Sequence, residues 1–268
     1  MNGESTRNRF VGLDDLRADV LNGLRQGHSY AIVGGHKCGG TALTKSLHDD
    51  IAASGLQPFH AIPCYIDIRE SIPRTPFDLF REIYRGMTRD LPGMEWNSPG
   101  KSQHYQEFLE RVDAAAPLLQ SRYGPEWLVV AVIDALDSAV PYLKDDECFH
   151  NLRNLLTNSR HQRRFRLVAW GITGMSGLVT KAGSPLNNLH PKYLRLLTEE
   201  ECRNMIQVHH PGLRDPIVQA QLIEKSGRHP FLLYGILGYH REAPDVPGED
   251  SIEIAVRRFR RDWLGVFK

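Results

Sequence analysis

Residues 29–47, SYAIVGGHKCGGTALTKSL, carry side chains of the types and spacing that hold phosphate. Gly34, Gly39 and Thr41 fall on the phosphate-cradling pattern G-x-x-x-x-G-K-[ST], and Gly40 stands where that pattern has its lysine. In such a loop, backbone N–H groups and a helix N-terminus hold the phosphates. The lysine carries charge to them, and the hydroxyl binds Mg²⁺. The bare backbone and the Thr41 hydroxyl are therefore present without the main cation. Lys37, inside the loop, and Lys45, one turn into the helix, are each either a partial substitute or an ordinary solvated lysine. A purely structural glycine turn is the competing reading, because left-handed φ values call for glycine.

A second stretch supplies the complementary chemistry. VVAVIDALD is an apolar strand ending at Asp134, the pattern in which a carboxylate orients Mg²⁺ through water. The next residue, an acid that polarises the attacking water in many ATPases, is Ala135. Alternatively, Asp134 caps a turn after a core strand. Two basic clusters follow. Arg160, Arg163, Arg164 and Arg166 with His161 could hold DNA, an acidic surface or a neighbouring subunit's nucleotide, or form a solvated loop. Arg257, Arg258, Arg260 and Arg261 lie beside Phe259, Trp263 and Phe267, as in an amphipathic helix packed on its own domain or on a partner. No Ser-His-Asp or Cys-His arrangement emerges. GITGMSG lacks the G-x-S-x-G spacing, which leaves Ser176 as a loop residue. His209 and His210 are adjacent and share no helix face. Catalytic residues are not assigned.

The elements that must position these residues are legible from periodicity. Strands are expected at 30–33, 59–68 (interrupted by Pro63), 127–133 and 167–171, with a short one near 190. Helices are expected near 16–26, 41–54, 76–89, 103–121 and 146–159. After about residue 195 the pattern is almost all helix, entered through a Thr198–Glu201 capping box. This predicts an α/β fold: a three-layer parallel-sheet core over 10–195, then a small helical lid over 196–268 ending in the basic amphipathic helix. Residues 1–9 are expected to be loose.

Bulk properties narrow the classes. The 268 residues are 41% hydrophobic and 24% charged with a net charge of +1, which argues against wholesale attraction to nucleic acid or membrane. Four scattered cysteines without C-x-x-C read as reduced thiols rather than a zinc site. No signal-peptide or membrane-spanning run is present, so a cytoplasmic protein is expected.

Taken in order, these segments resemble the AAA+ ATPases of the STAND and origin-recognition-like branch over residues 9–240. Phe10-Val11-Gly12 resembles the F-x-G-R opening box, with Leu13 in place of Arg. GGHKCGGTALTKSL resembles the Walker A loop and helix, and VVAVIDALD the Walker B strand. LVAWGITG resembles the sensor-1 strand, placing Thr173 near its polar position. LRLLTEEE resembles the segment opening the lid. SGRHPFLL resembles the T-G-G-H-P-x-L-L turn, whose proline, here Pro230, lies near the base; His229 matches the turn histidine.

The resemblance implies a P-loop NTPase core and an ATP or ADP site with Mg²⁺ on Thr41 and Asp134. Gly40 and Ala135 remove the two groups on which hydrolysis most depends. The leading expectation is a pseudo-ATPase acting as a regulatory, scaffold or adaptor module, in signalling or anti-phage defence. It would work with a separate effector or sensor protein, as a homo-oligomer, or as part of a longer chain. One alternative is a divergent active ATPase using Lys37. Another is a nucleic-acid adaptor using the arginine clusters. If the pocket is otherwise intact, Gly40→Lys should restore nucleotide affinity.

Overall fold

A computed structural model describes residues 11–70, 75–97, 104–143, 147–181, 183–242 and 250–263. Residues 1–9, Phe10, Phe267 and the Trp263 side chain, all named above, lie outside the described residues. The chain divides into two compact units. The larger comprises Leu16–His36 and Gly40–Leu194; the smaller comprises the segment up to Asp15, Lys37–Gly39 and Arg195–Lys268.

Helix α1 (Asp14–Arg25) opens the described chain. The larger unit is built on β1 (Tyr30–Val33), β2 (His60–Asp67), β3 (Trp127–Asp134), β4 (Phe165–Gly171) and β5 (His190–Tyr193). They form one five-stranded sheet in the order β2-β3-β4-β1-β5, parallel throughout. The apolar run 127–133 becomes β3, buried at every residue, which requires cover on both faces of the sheet. That cover comes from α2 (Gly40–Ser54), α3 (Pro76–Thr88), α4 (His104–Tyr123), α5 (Glu147–Thr157) and α6 (Thr173–Val179). Phe80, Phe108 and Phe165 run through the core with ring centroids 5.0 and 5.9 Å apart.

Pro63 does not break β2, because β2 is an edge strand and an edge tolerates a residue without N–H. The register sets Asp67 of β2 directly opposite Asp134 of β3, and Ile32 of β1 opposite Trp170 of β4. One element departs from expectation. Ser176 lies not in a loop but in α6, whose Met175, Leu178 and Val179 form a buried i, i+3, i+4 stripe. Gly174 and Gly177 lower the local helix propensity and hide that stripe in the sequence.

The smaller unit packs α7 (Glu199–His209), α8 (Pro216–Ser226), α9 (Pro230–Arg241) and α10 (Ser251–Trp263). Ile252, Ala255, Val256 and Phe259 are buried on α10, which packs on α8 and α9 of its own unit. The Phe259 ring sits so close to α9 that a methyl group on Gly235 would lie 2.2 Å from it.

The capping box forms: Thr198 Oγ1 accepts from Glu201 N–H at 3.2 Å, and Thr198 N–H donates to Glu201 Oε2 at 2.7 Å. Glu201 also accepts from Leu13 N–H at 2.6 Å and from Arg195 Nη1 at 2.7 Å. Arg195 in turn reaches Asp15 at 3.0 Å. These bonds draw residues 11–15, assigned to the core by sequence, into the helical unit. Burial disfavours a charged Glu201, but Arg195 and the backbone donors outweigh it and hold the carboxyl at about 2 against an ordinary 4.5.

A depressed carboxylate contributes stability that is complete above its unfolded value and lost as pH falls through its folded one. Acid unfolding should therefore show a loss of stability between pH 4.5 and about 2 that is markedly smaller in Glu201→Gln. Denaturant midpoints measured across that window check this.

Candidate functional site

The site is built where α2 begins, beside the carboxyl ends of β3 and β4. At Gly40, the position of the missing lysine, a methyl group would lie 2.0 Å from Cε2 and 2.2 Å from Cζ2 of Trp170. Carbon atoms pack at about 3.5–4.0 Å, so no side chain can leave the backbone there while the indole stays. Trp170 is buried on β4, its backbone fixed by pairing with Ile32. Gly34 N–H donates to Gly171 O at 3.3 Å, which ties the loop's start to the same strand end. The loop thus keeps its backbone course, and an aromatic ring fills the space a lysine would enter. A lysine introduced at Gly40 alone would meet this ring, so the single variant Gly40→Lys has no open pocket to complete.

Asp134, at the end of β3, has a fully buried side chain. Its Oδ1 accepts from Thr41 Oγ1 at 3.2 Å, and its Oδ2 accepts from Tyr65 Oη at 2.9 Å and from Arg69 Nη2 at 2.7 Å. Arg69 Nη2 also donates to Thr41 Oγ1 at 3.1 Å. Asp67 holds the same guanidinium, accepting from Arg69 Nε at 3.0 Å and from Nη2 at 2.9 Å. The Arg69 side chain therefore bridges the expected metal-ligand pair, Thr41 and Asp134.

Burial pushes the Asp134 carboxyl up, against the hydrogen bonds of Tyr65 and Thr41 and the charge of Arg69. Burial also raises Asp67, but Arg69 outweighs it and the net shift is downward. Arg69 is raised, chiefly by its hydrogen bond to Asp67. Burial, followed by the Asp134 charge, keeps the Tyr65 phenol protonated.

The other expected residues are placed differently. Ala135 is buried with φ +57° and opens a short helical turn, Leu136–Ala139. Thr173 is exposed at the start of α6. The polar group that meets this strand end is Asp137, whose Oδ2 accepts from Ile172 N–H at 2.9 Å. Within the helical unit, Lys37 is exposed with φ +60°, and its ammonium lies 5.4 Å from the Phe231 ring centroid. A methyl group on Gly39 would lie 3.8 Å from Pro230 Cγ, and Pro230 begins α9 behind His229. In the larger unit, Lys45 sits 5.8 Å from the Tyr65 ring centroid.

The first arginine cluster is largely spent on internal contacts. Arg160 pairs with Asp113, and Arg164 donates to Trp127 O at 3.0 Å; Arg166 donates to Phe165 O at 2.7 Å. Arg163 is exposed. On α10, Arg257 and Arg260 are exposed, Arg258 is half-buried and Arg261 pairs with Asp262 at 2.9 Å. None of the four cysteines is in a disulfide. Among the described residues, no group of three or more His, Cys, Asp or Glu is placed to hold a metal ion.

The phosphate lysine and the magnesium ion implied by the sequence resemblance do not fit these side chains. The lysine cradle holds an indole, and a guanidinium bridges the metal-ligand pair. Sequence reasoning missed Arg69, Tyr65, Asp67 and Trp170. The Asp67-Ile68-Arg69 run at a strand end is a visible signal, but its alignment with Asp134 depends on a register that sequence does not give.

No protein-family model matches the chain, and no curated protein matches it. Solved structures do. Cdc6p from Pyrobaculum aerophilum aligns with a TM-score of 0.63 at 16% identity, over 97% of this chain and 69% of its own. The ADP form of the Aeropyrum pernix ORC2 protein gives 0.61 at 17%, over 91% and 66%. The Aeropyrum pernix ORC1 protein in complex with DNA gives 0.52 at 15%, over 97% and 68%.

Gly40 is the first residue of α2, and Gly→Ala in a helix ordinarily stabilises by roughly 0.5–1 kcal/mol. Here overpacking against Trp170 should reverse the sign, and Gly40→Ala should cost about 1–3 kcal/mol. Denaturant unfolding of Gly40→Ala, Trp170→Ala and the double variant should show that the two costs do not add, because the collision exists only while both groups are present.

Proposed function

We propose that this chain, which has the AAA+ origin-recognition-like P-loop ATPase fold, is a regulatory or scaffold module and not an engine of ATP hydrolysis. The observation that carries this reading is the Trp170 indole packed on the bare backbone of Gly40. Phosphoryl transfer depends on charge positioned around the phosphates, and that contact leaves no room for the side chain that would deliver it. Ala135 adds the lack of a carboxylate for the attacking water, at a buried position with left-handed backbone.

Such a module would act through its surfaces, on a separate effector or sensor protein or on further copies of itself. The DNA-bound state of the ORC1 relative makes nucleic acid a second possible partner. Internal pairing of Arg160, Arg164 and Arg166 weighs against it. Among the described residues no helix is long and apolar enough to cross a membrane.

Purified protein should show no ATP turnover above a Thr41→Ala control, with or without DNA. A Gly40→Lys/Trp170→Ala double variant removes the indole and supplies the cation. A charge-assisted contact contributes about 1.5–3 kcal/mol, so this variant should gain roughly 10- to 100-fold in nucleotide affinity by calorimetry. Turnover by the unmodified protein that disappears in Thr41→Ala would instead establish a divergent ATPase.

A further inference from the structure

Asp67 and Asp134 are ladder partners at the ends of two adjacent parallel strands. Like charges held directly opposite one another destabilise a sheet, and one of these two is fully buried. A cation placed between the two relieves that repulsion. In this chain the cation is two residues along: β2 ends at Asp67, and Arg69 turns back over the strand ends.

The geometry of that return is specific. Arg69 N–H and Nε both donate to Asp67 Oδ1 at 3.0 Å, and Nη2 reaches Asp67 Oδ2 at 2.9 Å. The same Nη2 lies 2.7 Å from Asp134 Oδ2 and 3.1 Å from Thr41 Oγ1. One planar guanidinium thus bridges two carboxylates and the hydroxyl at the start of α2. All three are reached from the one nitrogen Nη2, while Nε adds a second bond to Asp67, the two-pronged grip that a guanidinium makes on a carboxylate. Arg69 is about half exposed while Asp134 is fully buried, so the cation closes the cluster from its solvent side.

We infer that Arg69 is a built-in replacement for the divalent cation, clasping Thr41, Asp67 and Asp134 so that this end of the sheet holds its structure without metal. The inference rests on the non-hydrolysing reading above and deepens it. On that reading the filled lysine position accounts for the lost chemistry, and Arg69 accounts for how the two carboxylates are held without metal. Oxygen ligands and two negative charges are what a hard divalent cation selects. Taking Arg69 away should therefore expose a latent magnesium site formed by Asp67, Asp134 and Thr41.

The test is thermal unfolding of the full chain with and without millimolar MgCl₂, with NaCl matched for ionic strength. Unmodified protein should show no response to Mg²⁺ beyond the salt control. Arg69→Ala should melt lower, and MgCl₂ should raise its midpoint by about 2–4 °C. Adding Asp134→Asn to Arg69→Ala should abolish that rise. Should Arg69→Ala fail to fold, Arg69→Gln keeps hydrogen-bond donors without the charge and should show the same magnesium-dependent rise.

Equal stabilisation of unmodified and Arg69-substituted protein by MgCl₂ would overturn the inference, as would no response in a folded Arg69→Ala or Arg69→Gln. Either result leaves the turnover and affinity measurements on the unmodified protein untouched. Conversely, turnover by unmodified protein would remove the non-hydrolysing reading by a separate readout.

Discussion

Burial of the Asp134 carboxylate at the end of the central strand is the constraint around which the rest of the site is arranged. Breaking a buried ion pair by removing one partner costs about 3–5 kcal/mol, a large part of a domain's net stability. The side chain is fully buried, and the structure meets the demand with donors from three elements. Tyr65 comes from β2, Thr41 from the first turn of α2, and Arg69 from the segment after β2. Since Arg69 is anchored by Asp67, the same contact neutralises the opposing carboxylate on the neighbouring strand. The carboxyl ends of β2 and β3 and the start of α2 are therefore fastened by one charge network.

A steric relation lies beside this electrostatic one. β4 presents Trp170 to the first residue of α2, and only the bare backbone of Gly40 admits the ring. The two relations are independent in kind: one fills space, the other supplies charge. Trp170 packs on Gly40, and Arg69 bridges Thr41 and Asp134, the positions that the sequence resemblance assigns to the phosphate lysine and the metal.

Much of the fold is legible in the sequence because its signals are local. The apolar run 127–133, rich in β-branched residues, reads as a covered strand, and the Thr198–Glu201 box marks the start of α7 by its own chemistry. Gly40 and Ala135 were visible as departures from a spaced pattern. What filled those departures was not visible. Trp170 lies 130 residues from Gly40 and meets it only because β4 pairs with β1. Arg69 acquires meaning only once β2 and β3 are in register. The α6 stripe was hidden by its glycines, and the residues 160–166 that read as a basic surface turned out to be largely paired with Asp113 and with backbone carbonyls.

The most direct measurement is a calorimetric titration of ATP into the unmodified protein, performed with Mg²⁺ and again with chelator at matched ionic strength. If an indole and a guanidinium hold the lysine and metal positions, magnesium should make no difference to any affinity found. A tenfold or greater tightening by Mg²⁺, lost in Asp134→Asn, would contradict that and return Thr41 and Asp134 to the role of metal ligands.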